Sequence, residues 1–159
     1  MVAGARELAR AGRARKGRKD KALAKQIDSH AALIYTMVLV SAAEGNMSDG
    51  ELEEMGRIVR HLPVFRDFEP ERILTVGAEC AELLRQEDGL DVALEQIATA
   101  LPQPLRETAY ALACDVAAAD GKPADEELQL LEMIRHRLSL DRLVAAAIER
   151  AALARHRVM

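Results

Sequence analysis

The feature that most constrains the fold is a pair of similar segments, residues 37–62 and 113–138, which align without a gap at a constant offset of 76. The shared positions include apolar residues at helical spacing, a glycine and two acids, so amphipathic helices alone do not explain the likeness. Each segment therefore predicts a helix, a break at the glycine and a second helix. The identical pairs are Val40 and Val116, Ala42 and Ala118, Ala43 and Ala119, Gly45 and Gly121, Asp49 and Asp125, Glu51 and Glu127, Leu52 and Leu128, Ile58 and Ile134, and Leu62 and Leu138.

The remaining sequence has the same helical character. Ala is the commonest residue and aromatic residues make up only 3%, which favours helices packed closely through small side chains. No alternating apolar and polar run is long enough for a strand. We expect an all-α fold of about seven main helices. The first ends near Ala43, and the others cover about 48–62, 70–84, 92–100, 105–119, 124–138 and 140–155.

Two similar helical hairpins in one small chain favour packing about a pseudo-two-fold axis. We expect hairpins 30–62 and 105–138 to form a bundle-like core of this kind, with the middle helices as a cover. Apolar residues at helical spacing give the predicted buried set: Leu33, Met37, Val40, Leu52, Met55, Leu112, Val116, Leu128, Leu131 and Ile134.

Charge divides the chain into two parts. Residues 1–25 hold nine Lys and Arg against two acids, which leaves 13 basic and 24 acidic residues for the remainder. The first segment has no core-forming pattern. We therefore predict a basic, flexible arm at 1–25 and one acidic helical domain at 26–159.

Each break carries acids that suit a hard cation such as Ca²⁺ or Mg²⁺, which takes several carboxylate and carbonyl oxygens. One acid precedes the glycine, a second follows five residues later and a third after seven. The second loop adds a neighbouring acid and is the predicted stronger site. The candidate ligands are Glu44, Asp49 and Glu51 in the first loop, and Asp120, Asp125, Glu126 and Glu127 in the second.

Helix capping explains some of the same acids without a metal. Ser48 and Glu51 fit a capping box, and acids in a first helical turn complement the helix dipole. The acid before each glycine is different, because it ends the preceding helix, where the dipole disfavours negative charge. Both interpretations stay open at this point.

The duplicated motif also has a family resemblance. An apolar helix that ends in Ala-Ala-acid-Gly, followed by a short loop and an acid-rich helix start, occurs at 42–45 and again at 118–121. This resembles the TerB family of bacterial tellurite-resistance proteins over about residues 30–145. The first copy carries Glu44 where that family usually has Asp.

The resemblance implies an all-α TerB-like fold. It also implies a cytoplasmic protein of tellurite and stress resistance with a metal-binding role and no established enzymatic reaction. The basic arm is not part of the shared pattern.

Catalytic motifs are absent from the sequence. There is no phosphate-binding glycine loop, no nucleophile elbow and no zinc-protease pair of histidines. Cys80 and Cys114 lie on apolar helix faces, where a free cysteine usually acts as a small hydrophobe; a thiol reaction with tellurium oxyanions is the rival interpretation. We expect a protein that is not an enzyme.

The expected partners follow from charge. The acidic body predicts either a cation site or a metal-free docking surface for a protein partner. The arm predicts contact with nucleic acid or an anionic membrane, a solvated tail, or docking onto the acidic body. The most apolar stretch has 13 residues, 31–43, and is too short to span a bilayer, which needs about 18. We expect a cytoplasmic location, with peripheral attachment to the inner membrane surface as an alternative.

Overall fold

A computed structural model of the chain describes residues 25–159. The predicted basic arm falls almost entirely on residues 1–24 and so lies outside the described residues. Over the described part the protein is all-helical, with no strand, which confirms the predicted fold class. The elements are α1 Ser29–Ala42, α2 Asp49–His61, a 3₁₀ turn Pro63–Phe65, α3 Arg72–Leu84, α4 Gly89–Ala100, α5 Gln103–Ala118, α6 Asp125–Arg137 and α7 Arg142–Arg155.

Helix α1 is the centre of the molecule. Asp28 caps its start by accepting a hydrogen bond from the Ala31 amide at 2.8 Å. Residues 31–41 are all buried, as expected for a helix that is apolar on every side. Helices α3, α4, α5 and α6 pack around it.

The second helix of each hairpin packs on the first helix of the other hairpin. Helix α2 contacts α5, α6 contacts α1, and α1 and α5 form the main helix pair of the core. Helices α3 and α4 cover α1, whereas α7 covers α5. The reciprocal contacts agree with a core built from both hairpins, and the pseudo-two-fold axis stays a prediction.

Helix α4 begins three residues earlier than predicted, at Gly89. A Cβ at this position would overlap the Leu83 carbonyl at the end of α3. Glycine is therefore used here for close backbone approach, and the Asp88-Gly89 turn runs directly into the helix.

Eight of the ten predicted core residues are buried. Leu52 and Leu128 are wrong, because 52% and 47% of their surfaces are exposed. The buried stripe of each helix begins one residue earlier, at Glu51 and at Glu127. Acidic side chains thus occupy the first inward position of both helices, and the leucines lie beside the stripe.

Candidate functional site

The two acidic loops turn on glycines of left-handed conformation. Gly45 has φ of 86° and Gly121 has φ of 107°, values that few other residues adopt at low cost. Their amides donate to the carbonyl oxygens of Ala42 at 3.0 Å and Ala118 at 2.9 Å. Each apolar helix therefore ends in the same tight turn, directly after an acidic residue.

The helices that follow start with similar hydrogen bonds. The Ser48 amide donates to Glu51 Oε2 at 2.7 Å, and the Glu51 amide donates to Ser48 Oγ at 3.1 Å. This confirms the predicted capping box. In the second copy the Ala124 amide donates to Glu127 Oε2 at 2.8 Å, but alanine has no side-chain acceptor to complete the box.

The loops meet each other, which the sequence analysis did not foresee. The Ser48 hydroxyl of the first loop donates to Asp120 Oδ2 of the second at 2.5 Å. Asp120 Oδ1 fills the space beside Gly50, where a Cβ would overlap it. Asp120, predicted as a ligand of the second site alone, therefore lies against the first loop.

The charges of this region influence one another. The pKa of Glu127 lies above its ordinary value, mainly because the side chain is buried and further because Glu51, Glu44 and Asp120 are negatively charged nearby. The hydrogen bond from the Ala124 amide opposes this rise. We call these four residues, Glu44, Glu51, Asp120 and Glu127, the inter-loop acidic cluster.

The other three predicted ligands are not linked to the cluster by any contact. Asp49, Asp125 and Glu126 are exposed in the first turns of α2 and α6. Their side chains form no hydrogen bond or ion pair with the described residues. Their positions are those that the helix dipole favours.

The four carboxylates of the cluster do not converge on a single point. Within residues 25–159 no group of three or more His, Cys, Asp or Glu side chains is placed so that it could hold a metal ion. Three of the four carboxylates already use one oxygen in a hydrogen bond to Ser48 or Ala124. The predicted cation site stays a prediction.

Two site residues were missed by sequence reasoning. Ser48 was recognised only as a helix cap, although its hydroxyl also bridges to Asp120. Gly50 gave a signal that could have been used, because glycine is a poor helix former and yet stands in the first turn of α2. Such a glycine often marks a close approach by another group.

The cysteines are buried, as predicted. Burial raises the pKa of Cys80 to about 12, and it does the same for Cys114, where the nearby charges of Glu149 and Asp115 add to the effect. Both thiols are therefore neutral at physiological pH and poor nucleophiles. Tyr35 and Tyr110 are also core residues.

Comparisons with known proteins support one family. The family model described as "Tellurite resistance protein TerB" matches residues 30–151, which includes all seven predicted ligands. Comparison with curated proteins and with solved structures gives no match. None of the helices formed by residues 25–159 combines the length and apolarity needed to cross a membrane. Because the family match covers most of the chain and agrees with its all-helical fold, the protein belongs to the tellurite resistance protein TerB family.

Proposed function

We propose that this protein is a non-catalytic, cytoplasmic module of tellurite and stress resistance that binds a divalent cation, Ca²⁺ or Mg²⁺, at the inter-loop acidic cluster. The observation that carries the proposal is the bridge from Ser48 to Asp120. This bridge brings carboxylates from two distant parts of the sequence together in one region of the surface.

The donor atoms suit a hard cation. Glu51, Glu127 and Asp120 each use one carboxylate oxygen in a hydrogen bond to Ser48 or Ala124, and the second oxygen accepts none from residues 25–159. These free oxygens are the ligand type that Ca²⁺ and Mg²⁺ prefer. Glu44 is exposed and forms no hydrogen bond with residues 25–159, so its side chain can rotate toward a cation at little cost.

The negative charges of the cluster favour the binding of a cation. Burial raises the pKa of Glu127, and the charges of Glu51, Glu44 and Asp120 add to this rise, which means that these three charges repel the ionised Glu127 carboxylate. A divalent cation relieves this repulsion. A ligand that binds only the folded state also stabilises it, by about 2.7 kcal/mol at 100 times its Kd.

The absence of catalytic motifs from the sequence supports a non-catalytic role. The sequence contains no motif that pairs a nucleophile with a base, and both thiols stay protonated because burial raises their pKa values to about 12. A thiolate reaction with tellurium oxyanions therefore has little support. A resistance role would then depend on binding rather than on turnover.

A metal-free docking module is the second candidate. The observation in its favour is that Glu51 and Glu127 already cap helices through the Ser48 and Ala124 amides. In this case Asp49, Asp125 and Glu126 form an exposed acidic surface for a protein partner. The negative charge of this surface then raises the rate at which a basic partner associates and the selectivity for that partner.

Thermal unfolding with CaCl₂ or MgCl₂, together with isothermal titration, tests the first candidate. The cation should raise Tm of the wild-type protein more than NaCl at matched ionic strength, which controls for screening. The gain should nearly vanish in Asp120→Asn and fall less in Glu44→Gln. Glu107→Gln, at an exposed position near the other end of α5, should respond like the wild type.

Two results would contradict the cation proposal. One is equal stabilisation by matched NaCl, and the other is an unchanged response of Asp120→Asn. Either result would leave the acids as helix caps and surface charge, and would favour the docking module.

A further inference from the structure

An apolar cleft of about 170 Å³ lies between the end of α5, the start of α6 and helix α7. It is partly open to solvent. An engineered apolar cavity of roughly 150 Å³ stays dry and binds benzene, so this cleft has room for a compact apolar group of similar size. The apolar walls are formed by Ala118, Pro123, Leu128, Leu131, Ala152 and Leu153.

Exposure of Leu128 marks the mouth of the cleft. This side chain is 47% exposed, whereas Leu131, one helical turn further along α6, is 4% exposed. Cys114 also lines the cleft, and its thiol stays neutral because burial raises its pKa to about 12. The cleft therefore offers an apolar surface for reversible binding rather than a nucleophile.

Glu149 forms part of one wall of the cleft. Its Oε1 accepts a hydrogen bond from the fully buried Tyr110 hydroxyl. No Lys, Arg or His nitrogen of residues 25–159 forms an ion pair with Glu149, although its charge acts on the more distant Arg135 and contributes to raising the pKa of that side chain. Oε2 of Glu149 accepts no hydrogen bond from residues 25–159, so an ammonium group in the cleft can donate a charge-assisted hydrogen bond to this oxygen.

Lys122 also lines the cleft, with its side chain exposed. An exposed ammonium is well hydrated and screened, so it gives little energy to an ion pair. Glu149 is partly buried and is held by Tyr110.

We propose that this cleft is a binding site for a small primary amine with a compact apolar body. The apolar part lies among Leu128, Leu131 and Leu153, and the ammonium group binds the Glu149 carboxylate. The proposal is independent of the cation site, because it uses none of the residues of the inter-loop acidic cluster.

A series of three ligands with the same chain length tests the charge preference directly. The full-length protein is titrated with n-hexylammonium chloride, 1-hexanol and sodium hexanoate, and amide and methyl chemical shifts are followed by NMR. We expect hexylammonium to bind about 10-fold more tightly than hexanol, because a charge-assisted hydrogen bond is about twice as strong as a neutral one. Hexanoate should bind most weakly. The largest shifts should fall on Leu128, Leu131 and Leu153.

The Glu149→Gln variant identifies the group responsible. Glutamine can still accept the hydrogen bond from Tyr110, so we expect the fold to be kept. The 10-fold preference for hexylammonium over hexanol should fall to about twofold or less, with hexanol affinity unchanged. Glu107→Gln is the matched control at an exposed position and should keep the wild-type preference.

The wild-type ligand series does not require any variant to fold. Equal affinities for hexylammonium and hexanol would overturn the proposal, and so would tighter binding of hexanoate, which would assign the selectivity to Lys122. Hexylammonium shifts confined to exposed acids would show surface attraction only. A Glu149→Gln protein that keeps the wild-type preference would also overturn it.

Discussion

The loop between α1 and α2 and the loop between α5 and α6 have closely similar backbones. Both turn on a glycine of positive φ, 86° at Gly45 and 107° at Gly121. Both are followed by a helix whose third residue, Glu51 or Glu127, accepts a hydrogen bond from the amide of its N-cap residue. These two glutamates are equally buried, at 7% exposure.

The polar groups that the loops add to this backbone are different. The first loop carries Ser48, whose hydroxyl donates a hydrogen bond, and Gly50, whose missing side chain leaves space for a neighbouring group. The second has Ala124 and Glu126 at the matching positions, and it supplies the Asp120 carboxylate that fits against the first loop. Similar backbones therefore do not create two equal sites, because each loop contributes a different part of one shared contact.

The largest expected effect tests whether both halves contribute equally to the core. Met55 and Leu131 occupy matching positions, and each is 4% exposed. Replacing either residue with alanine should lower the free energy of unfolding by about 2–5 kcal/mol, as measured by urea denaturation. A loss below about 0.5 kcal/mol, typical of surface sites, would show that one half carries little of the core.

The next effect concerns the difference between the two N-caps. Ser48→Ala should cost about 0.5–2 kcal/mol of unfolding free energy, since the cap and the bond to Asp120 are both lost. Ala124 has nearly the same backbone angles as Ser48, with φ of −71° against −76°. Ala124→Ser should therefore stabilise the protein by up to about 1 kcal/mol. A destabilised Ala124→Ser protein would mean that the two helix starts are less alike than their backbones.

A third prediction compares two buried glutamates of opposite behaviour. Hydrogen bonding to Arg57 lowers the pKa of Glu54, whereas burial raises the pKa of Glu127. Ionised Glu54 therefore adds stability above the ordinary glutamate pKa of about 4.3, and this stability is lost as pH falls through its lowered pKa. The folded state instead favours protonated Glu127, so this residue reduces stability as pH rises from 4.3 through its raised pKa.

Unfolding measured between pH 3 and pH 8 tests the two signs. Glu54→Gln should be less stable than the wild type near pH 7, and the difference should shrink in acid. Glu127→Gln should be at least as stable as the wild type near pH 7, with its advantage also lost in acid. The same sign for both variants at pH 7 would mean that the Arg57 hydrogen bond and burial do not shift these two pKa values in opposite directions.

Much of the fold could be predicted because it depends on local signals. Apolar spacing, glycine breaks and the capping box gave the all-helical class, the helix order and eight of ten core residues. The errors at Leu52 and Leu128 have one cause. Each glutamate that caps its own helix also takes the first inward position, so a pattern that seeks apolar residues begins one residue too late.

The contact between the loops could not be predicted, because it depends on how two hairpins 76 residues apart in sequence pack against each other. The acids were identified, but their division into two sites followed from sequence distance alone. The cleft is a longer-range feature still, since its walls come from α5, α6 and α7. Local sequence patterns identify residues whose side chains can bind a ligand, and the packing of the helices decides which of these residues come together.

The smallest expected effect on stability gives the sharpest comparison of the two halves. Leu52 and Leu128 match in sequence and are similarly exposed, at 52% and 47%. Leu52→Ala and Leu128→Ala should therefore each change the free energy of unfolding by no more than about 0.5 kcal/mol, as surface substitutions usually do. Only Leu128 lines the apolar cleft. Hexylammonium should thus bind several-fold more weakly to Leu128→Ala than to the wild type, because apolar contact area is lost, while Leu52→Ala should bind as the wild type does. Equal effects of the two variants on hexylammonium affinity would mean that the contact between Leu128 and the ligand in the cleft does not contribute to binding.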